Sequence, residues 1–361
     1  MTGDNSANLI SGGAGNDTIR GRGGNDDLRG GAGTDTLSFA NAGSGVTVDM
    51  GAGTATGDGS DTFSNFENLT GSSNADSLTG DANVNTINGG GGTDTIDGAG
   101  GADVINAGGG NDTIIFDASD TSVDGGAGTD TLVASNSGDT IDLSVGSITN
   151  VENITGGTGA DTLTGDAAVN TINAGAGADI IDGGAGADII NAGSGNDTII
   201  FDASDTSVDG GADTDTIQLS NSGDTIDLSV GSITNVENIT GGTGADNITG
   251  DNAANVINAG AGADIIDGGA GADTIDAGAG NDTVSYDASD VSIDGGADTD
   301  TLQLGNGGVT YTLNTGNTSN FENITGGTGN DTLTGDGSAN VINGGSGNDT
   351  LDGAGGADTL N

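Results

Sequence analysis

The chain has 361 residues, 76 of them glycine, with no proline, cysteine, tryptophan or histidine. Its formal charge is −51, from 54 acidic residues against three arginines, which excludes phosphate backbones and anionic lipid surfaces as partners. The missing histidine, lysine and cysteine also exclude a Ser-His-Asp triad, His-based zinc chemistry, Schiff-base catalysis, thiol chemistry and disulfide stapling.

Aromatic residues make up 2% of the chain, too few for a conventional core. Such a charge opposes compaction unless something cationic neutralises it, and an oxygen-bound divalent ion is the natural agent. Met1 to Asp4 carries no charged region followed by an apolar stretch, so no Sec-type signal peptide is read there. No apolar run reaches membrane-spanning length, so no membrane insertion is expected.

Taken in order, the chain divides into nonapeptides from Gly3 onward. Residues 1–70 hold a two-residue leader, four repeats and a 32-residue spacer. Residues 71–155, 156–240 and 241–325 each hold seven repeats and a 22-residue spacer, and residues 326–361 hold four more repeats. The 85-residue period is marked by Glu67, Glu152, Glu237 and Glu322, and by Phe116, Phe201 and Tyr286. Position six of a nonapeptide is usually aspartate and position eight is always a large aliphatic.

Six glycine-rich residues predict a turn, because glycine accepts positive φ. The next three, such as Thr18-Ile19-Arg20, predict a short strand whose middle side chain alone points inward. Two nonapeptides then make one coil, residues 18 apart stack, and Ile19, Leu28 and Leu37 begin an aliphatic ladder. The expected fold is all-β: a β-solenoid of stacked glycine-rich nonapeptides. The spacers, such as Ser147 to Thr155, alternate apolar and polar residues and predict longer strands in a coil without metal. Their length fits one, two or three half-coils.

Gly12 to Arg20, Gly183 to Asn191, Gly268 to Asp276 and Gly344 to Asp352 read Gly-Gly-x-Gly-x-Asp-x-aliphatic-x in full. This pattern resembles the RTX, or hemolysin-type, calcium-binding repeat, and the resemblance covers about the whole chain. It implies a parallel β-roll, calcium in the turns, bacterial origin and export by a type I secretion system. The family includes toxins, proteases, lipases, epimerases, adhesins and surface-layer proteins, so the resemblance bears on fold and metal more than on role.

Calcium takes six to eight oxygens, which glycine carbonyls and aspartates of stacked turns can supply. Position six gives the ladders Asp76, Asp94, Asp112, Asp130; Asp161, Asp179, Asp197, Asp215; and Asp246, Asp264, Asp282, Asp300. Opposite them stand Asn85, Asp103, Thr121; Asn170, Asp188, Thr206; and Asn255, Asp273, Val291. The flanking repeats add Asp17 with Asp35, Asn8 with Asp26, Asp331 with Asp349, and Asn340 with Asp358. These make 11 Asp–Asp and five Asn–Asp pairs, hence 11 to 16 calcium ions, with no full-strength site expected at Thr121, Thr206 or Val291.

A disordered acidic linker would not keep an aliphatic at every position eight, although the metal-free chain is expected to be unfolded. Binding energy then becomes folding energy, so the chain would thread an exporter unfolded and fold outside. Carboxylate pairs could act as acid and base, but in a calcium ladder they are ligands. The reading is a non-enzymatic, extracellular structural solenoid of a surface layer, filament or adhesin stalk; the alternative is the folding and secretion module of a larger secreted toxin or hydrolase. Ice binding and polysaccharide binding find little support, since turn threonines recur once per long period and arginines and aromatics are few. Neither end shows a polar cap, nor the non-repetitive tail that the resemblance implies, which predicts a trimmed chain or head-to-tail self-association.

Overall fold

A computed structural model describes all 361 residues, Met1 to Asn361. It contains strands and turns and no helix, so no helix is long and apolar enough to cross a membrane. Two compact units are present: Met1–Asp179 with Gly183–Ile190, and Ile180–Asp182 with Asn191–Asn361. Each is a parallel β-solenoid built by the same rule.

In the first unit, Thr95 pairs with Thr113 and Thr113 with Thr131, each step being one coil of two nonapeptides. Strands Ser77–Thr79, Thr95–Asp97, Thr113–Ile115, Thr131–Val133, Asn153–Thr155 and Thr171–Ala176 lie in one sheet. Strands Thr36–Ser38, Asn68–Thr70, Thr86–Gly91, Val104–Gly109 and Ser122–Ala127 lie in a second, so successive nonapeptides alternate between sheets. In the second unit, Thr198 pairs with Thr216 and Thr283 with Thr301 on the same one-coil step.

Because side chains alternate along a strand, position eight alone turns inward. Ile19, Leu37, Ile87, Ile96, Ile114 and Leu132 are completely buried, as are Ile217, Ile248, Ile266 and Leu302. Each such side chain contributes about 1.5–3 kcal/mol on removal from water. That ladder is the core of the regular repeats, joined by small side chains such as Ala107 and Ala174 and, in the spacers, by residues such as Phe66 and Phe321.

The turns are too tight for side chains at their glycines. A Cβ on Gly89 would lie 2.3 Å from the carbonyl oxygen of Ala107, one coil on, and 2.6 Å from Oδ2 of Asp94. Gly110 has φ +138°, a backbone conformation that side-chain-bearing residues rarely adopt.

The 22-residue spacer makes one coil, settling its count at two half-coils. Thr131 pairs with Asn153 across it, and Thr140 with Thr162. Its extra length over a regular coil gives one half-coil two strands instead of one: Thr140–Asp142 pairs forward with Thr162–Thr164, and Ile148–Thr149 pairs back with Ser122–Ala127. The longer strands expected from the alternation of Ser147 to Thr155 are absent, because that run forms only Ile148–Thr149 and Asn153–Thr155, of two and three residues. Asn150, at φ +54°, breaks the run between them.

The 32-residue spacer also departs from a purely parallel roll. Ser60–Ser64 pairs in parallel with Asp27–Ala32, and Thr47–Asp49 in parallel with Ser77–Thr79. Thr54–Thr56 joins them in antiparallel pairing. Short turns, such as that carrying Gly53 at φ +68°, reverse the chain there.

Candidate metal centre

Each buried position-six carboxylate spends one oxygen on the coil before it. The amide of Asp76 donates to Oδ1 of Asp94 at 2.8 Å, that of Asp94 to Asp112 at 2.8 Å, and that of Asp112 to Asp130 at 2.7 Å. The same bond links Asp17 to Asp35 and Asp161 to Asp179. In the second unit it links Asp197 to Asp215, Asp246 to Asp264, Asp264 to Asp282, Asp282 to Asp300 and Asp331 to Asp349. Asp26, Asp103, Asp188, Asp273 and Asp358 accept in the same way from the amides of Asn8, Asn85, Asn170, Asn255 and Asn340.

The second oxygen decides the chemistry. In the first unit, Oδ2 of Asp17, Asp26, Asp35, Asp94, Asp103, Asp112 and Asp130 is inaccessible to solvent and has no hydrogen-bond donor. In the second unit the same holds for Asp215, Asp264, Asp273, Asp282, Asp300 and Asp331. A buried carboxylate oxygen without a partner is strongly unfavourable unless a cation meets it. Asp76, Asp161 and Asp246, each in the first repeat after a spacer, differ: their Oδ2 accepts from the amides of Ser72, Gly157 and Gly242 in their own turns.

The electrostatics agree. Burial pushes the Asp94 carboxyl up to about 7; the Asp76 amide opposes the shift, and the charges of Asp76 and Asp112 add to it. Asp130, Asp215, Asp264 and Asp300 are raised to about 6, again chiefly by burial. These groups lack positive charge nearby, since the one salt bridge, Arg29 to Asp27, is on the surface.

No point gathers three or more acidic side chains at metal-binding spacing. A rung therefore offers two carboxylates, and the remaining oxygens must come from the turns. They converge there, as the closeness of Ala107 O and Asp94 Oδ2 to one point beside Gly89 shows. Carboxylate and carbonyl oxygens are the hard donor set that suits calcium. The orphaned Oδ2 atoms thus fit a divalent cation.

This arrangement is recognised at the level of sequence as well. The pattern for the RTX calcium-binding nonapeptide repeat, four copies at a time, matches residues 2–37, 56–147, 150–199, 235–284 and 325–360 in overlapping placements. The chain belongs to the RTX calcium-binding repeat family. Its β-solenoid is the structural calcium-binding fold of that family, which is not typically catalytic. No curated protein matches the chain.

Within this RTX chain the asparagine rungs are built differently. Oδ1 of Asn85 accepts from the Asp81 amide at 2.7 Å, while its Nδ2 donates to the carbonyl of Glu67 at 3.3 Å. Asn170, Asn255 and Asn340 repeat this, donating to the carbonyls of Glu152, Glu237 and Glu322. Those four glutamates extend the ladders, since Oε2 of each accepts the amide of Asp35, Asp130, Asp215 or Asp300. The spacers thus continue the hydrogen-bond chain with a longer acid. The sequence shows these glutamates as period markers only, because the offset across the spacer hides their place in the ladder.

The aromatic residues that mark the long period also fall into place. Beside Phe116, a cavity of about 260 Å³ is lined by Asp120, Val123, Val145 and Ile148. Beside Phe201, one of about 210 Å³ is lined by Val208, Ile226, Val230 and Ile233. Tyr286 instead stacks edge-on against Tyr311, with ring centroids 4.7 Å apart.

Proposed function

We propose that this RTX chain is an extracellular structural solenoid, part of a surface layer, filament or adhesin stalk, that folds on calcium after secretion. The observation that supports it is the series of buried Oδ2 atoms with no donor. Folding without a cation would strand those oxygens in a ladder of like charges, so metal binding and folding become one equilibrium. The proposed ligands are the position-six aspartates named above, with turn carbonyls completing each shell. Calcium supplies the positive charge that the rung lacks; the chain holds two carboxylates and their carbonyls in place through the amide bonds to Oδ1.

The Asp–Asp rungs account for 11 ions, and the Asn–Asp rungs would bring the total to 16. The internally satisfied asparagines favour the lower figure. A net charge of −51 repels anionic partners and suits calcium-dependent association between copies of the chain.

A calcium titration followed by far-ultraviolet circular dichroism and light scattering tests this reading. A transition from coil to β structure at about 10⁻⁴–10⁻³ M calcium is expected, the range of extracellular modules. Scattering that grows with the transition supports an assembling structural protein; a monodisperse product favours the folding and secretion module of a larger secreted protein. A full β signal in chelator would overturn the metal-linked folding.

A further inference from the structure

In the repeat that starts at Phe116 or Tyr286, the nonapeptide frame puts Thr121 or Val291 at position six, where no carboxylate is available. The structure shows that these residues do not occupy the rung. Val291 is 64% exposed, whereas the aspartates of the rungs it would join, Asp273 and Asp282, are 0% and 1% exposed.

The hydrogen bonds explain why. In a regular repeat the residue after the position-six aspartate donates its amide to the carbonyl one coil back, as Thr113 does to Asp94 at 2.8 Å. In these two repeats Thr121 donates to the carbonyl of Asp103, and Val291 to that of Asp273, both at 2.8 Å. Each thereby takes the bond of position seven at the shorter distance, since the next residues, Ser122 and Ser292, reach the same carbonyls only at 3.3 and 3.4 Å. The strands that follow stay in frame, Val104 pairing with Ser122 and Thr274 with Ser292, so the one-residue displacement is confined to the turn, where Asp120 or Asp290 takes the place of position six.

Asp290 behaves as a rung member. It is 6% exposed, its Oδ1 accepts from the amide of Asp273 at 3.4 Å, and its Oδ2 is buried with no donor. Asp273 below it is fully buried with its own Oδ2 unmatched. Both carboxylate oxygens of Asp120 are likewise inaccessible and without a donor, beside an Asp103 that is 0% exposed. The slip has a local cause. Asp117 and Asp287 replace the second residue of the glycine turn, and each accepts from both the amide and the hydroxyl of the serine two residues on. This turn draws Asp120 and Asp290 inward through amide bonds to the carbonyls of Asp117 and Asp287.

We propose that Asp103 with Asp120, and Asp273 with Asp290, form two further calcium rungs that the nonapeptide pattern does not encode. The inference rests on the calcium reading of the regular rungs. A hard divalent cation is the ligand, because each pair presents carboxylate oxygens that no protein donor satisfies.

The test counts calcium bound per full-length chain at saturation, by equilibrium dialysis and atomic emission. The D120A/D290A variant is expected to bind two ions fewer than the parent while its circular dichroism in calcium is retained. An unchanged count overturns the proposal. Should that variant fail to fold, T121D/V291D answers the same question, since both positions are exposed. It is expected to leave the count unchanged, because the rung already has its carboxylate; two additional ions would mean that the rungs had lacked one. A parent chain that binds no calcium would instead refute the reading of the regular rungs.

Discussion

Asp94 and Asn85 hold the same position in neighbouring nonapeptides, and each is 1% exposed. Asp94 is left with an oxygen that nothing in the protein satisfies, whereas Asn85 satisfies its whole amide with Asp81 and Glu67. A single change from oxygen to NH2 converts a rung member that requires a cation into one satisfied by the protein itself, while Asp103 across that rung keeps its unmatched oxygen. These satisfied asparagines stand one coil beyond the spacer glutamates. The contrast suggests that calcium demand is concentrated within the seven-repeat blocks and relieved at their junctions.

The contrast can be broken most directly by removing the metal. Chelation is expected to abolish most of the β signal in circular dichroism, and re-addition of calcium to restore it. A smaller effect comes from Asp112, which belongs to two rungs. Asp112→Ala should lose about two ions, with a stability loss of about 2.7 kcal/mol per ion when calcium stands at a hundred times its dissociation constant. Calcium-dependent thermal unfolding would measure it, and a cost that persists unchanged in chelator would contradict a ligand role. Asn85→Ala should cost about 1–3 kcal/mol for lost hydrogen bonds, with no change in bound calcium.

Gly89→Ala offers a comparison of sterics with charge. The added methyl group meets the Ala107 carbonyl, and about 1–3 kcal/mol of destabilisation is expected, visible as a raised calcium midpoint.

The smallest effect is that of pH on the metal-free chain. Asp94 is raised from 3.8 to about 7, so the folded state keeps a proton that the unfolded chain has already released between those values. Stability therefore falls as pH rises from about 4 to 7, and acidification should favour structure. Circular dichroism in chelator at pH 4.5 and 7.5 checks the sign; more structure at the higher pH would refute it.

The parts legible in the sequence were those whose cause lies within one nonapeptide. Ile96 is inward because strands alternate, and Gly89 is glycine because the turn admits nothing larger; both follow from position alone. The role of Glu152 was hidden, because its partner Asp130 lies across a spacer rather than one regular coil away. Asp120 was hidden by a one-residue slip that only the backbone bonds of Thr121 display. The antiparallel strand Thr54–Thr56 carries no period at all, so it left no mark for a repeat-based reading.

Each long period, seven nonapeptides and a spacer, contains an odd number of half-coils. Thr86–Gly91 consequently lies in one sheet of the first unit while Thr171–Ala176, its counterpart in the next period, lies in the other. In the second unit Thr198–Ile200 and Thr283–Ser285 are divided in the same way. Duplication of this period therefore does not stack like upon like; each copy presents its surface features on the side opposite to those of the copy before. A receptor that reads one side would therefore meet a given feature in only one of two consecutive copies.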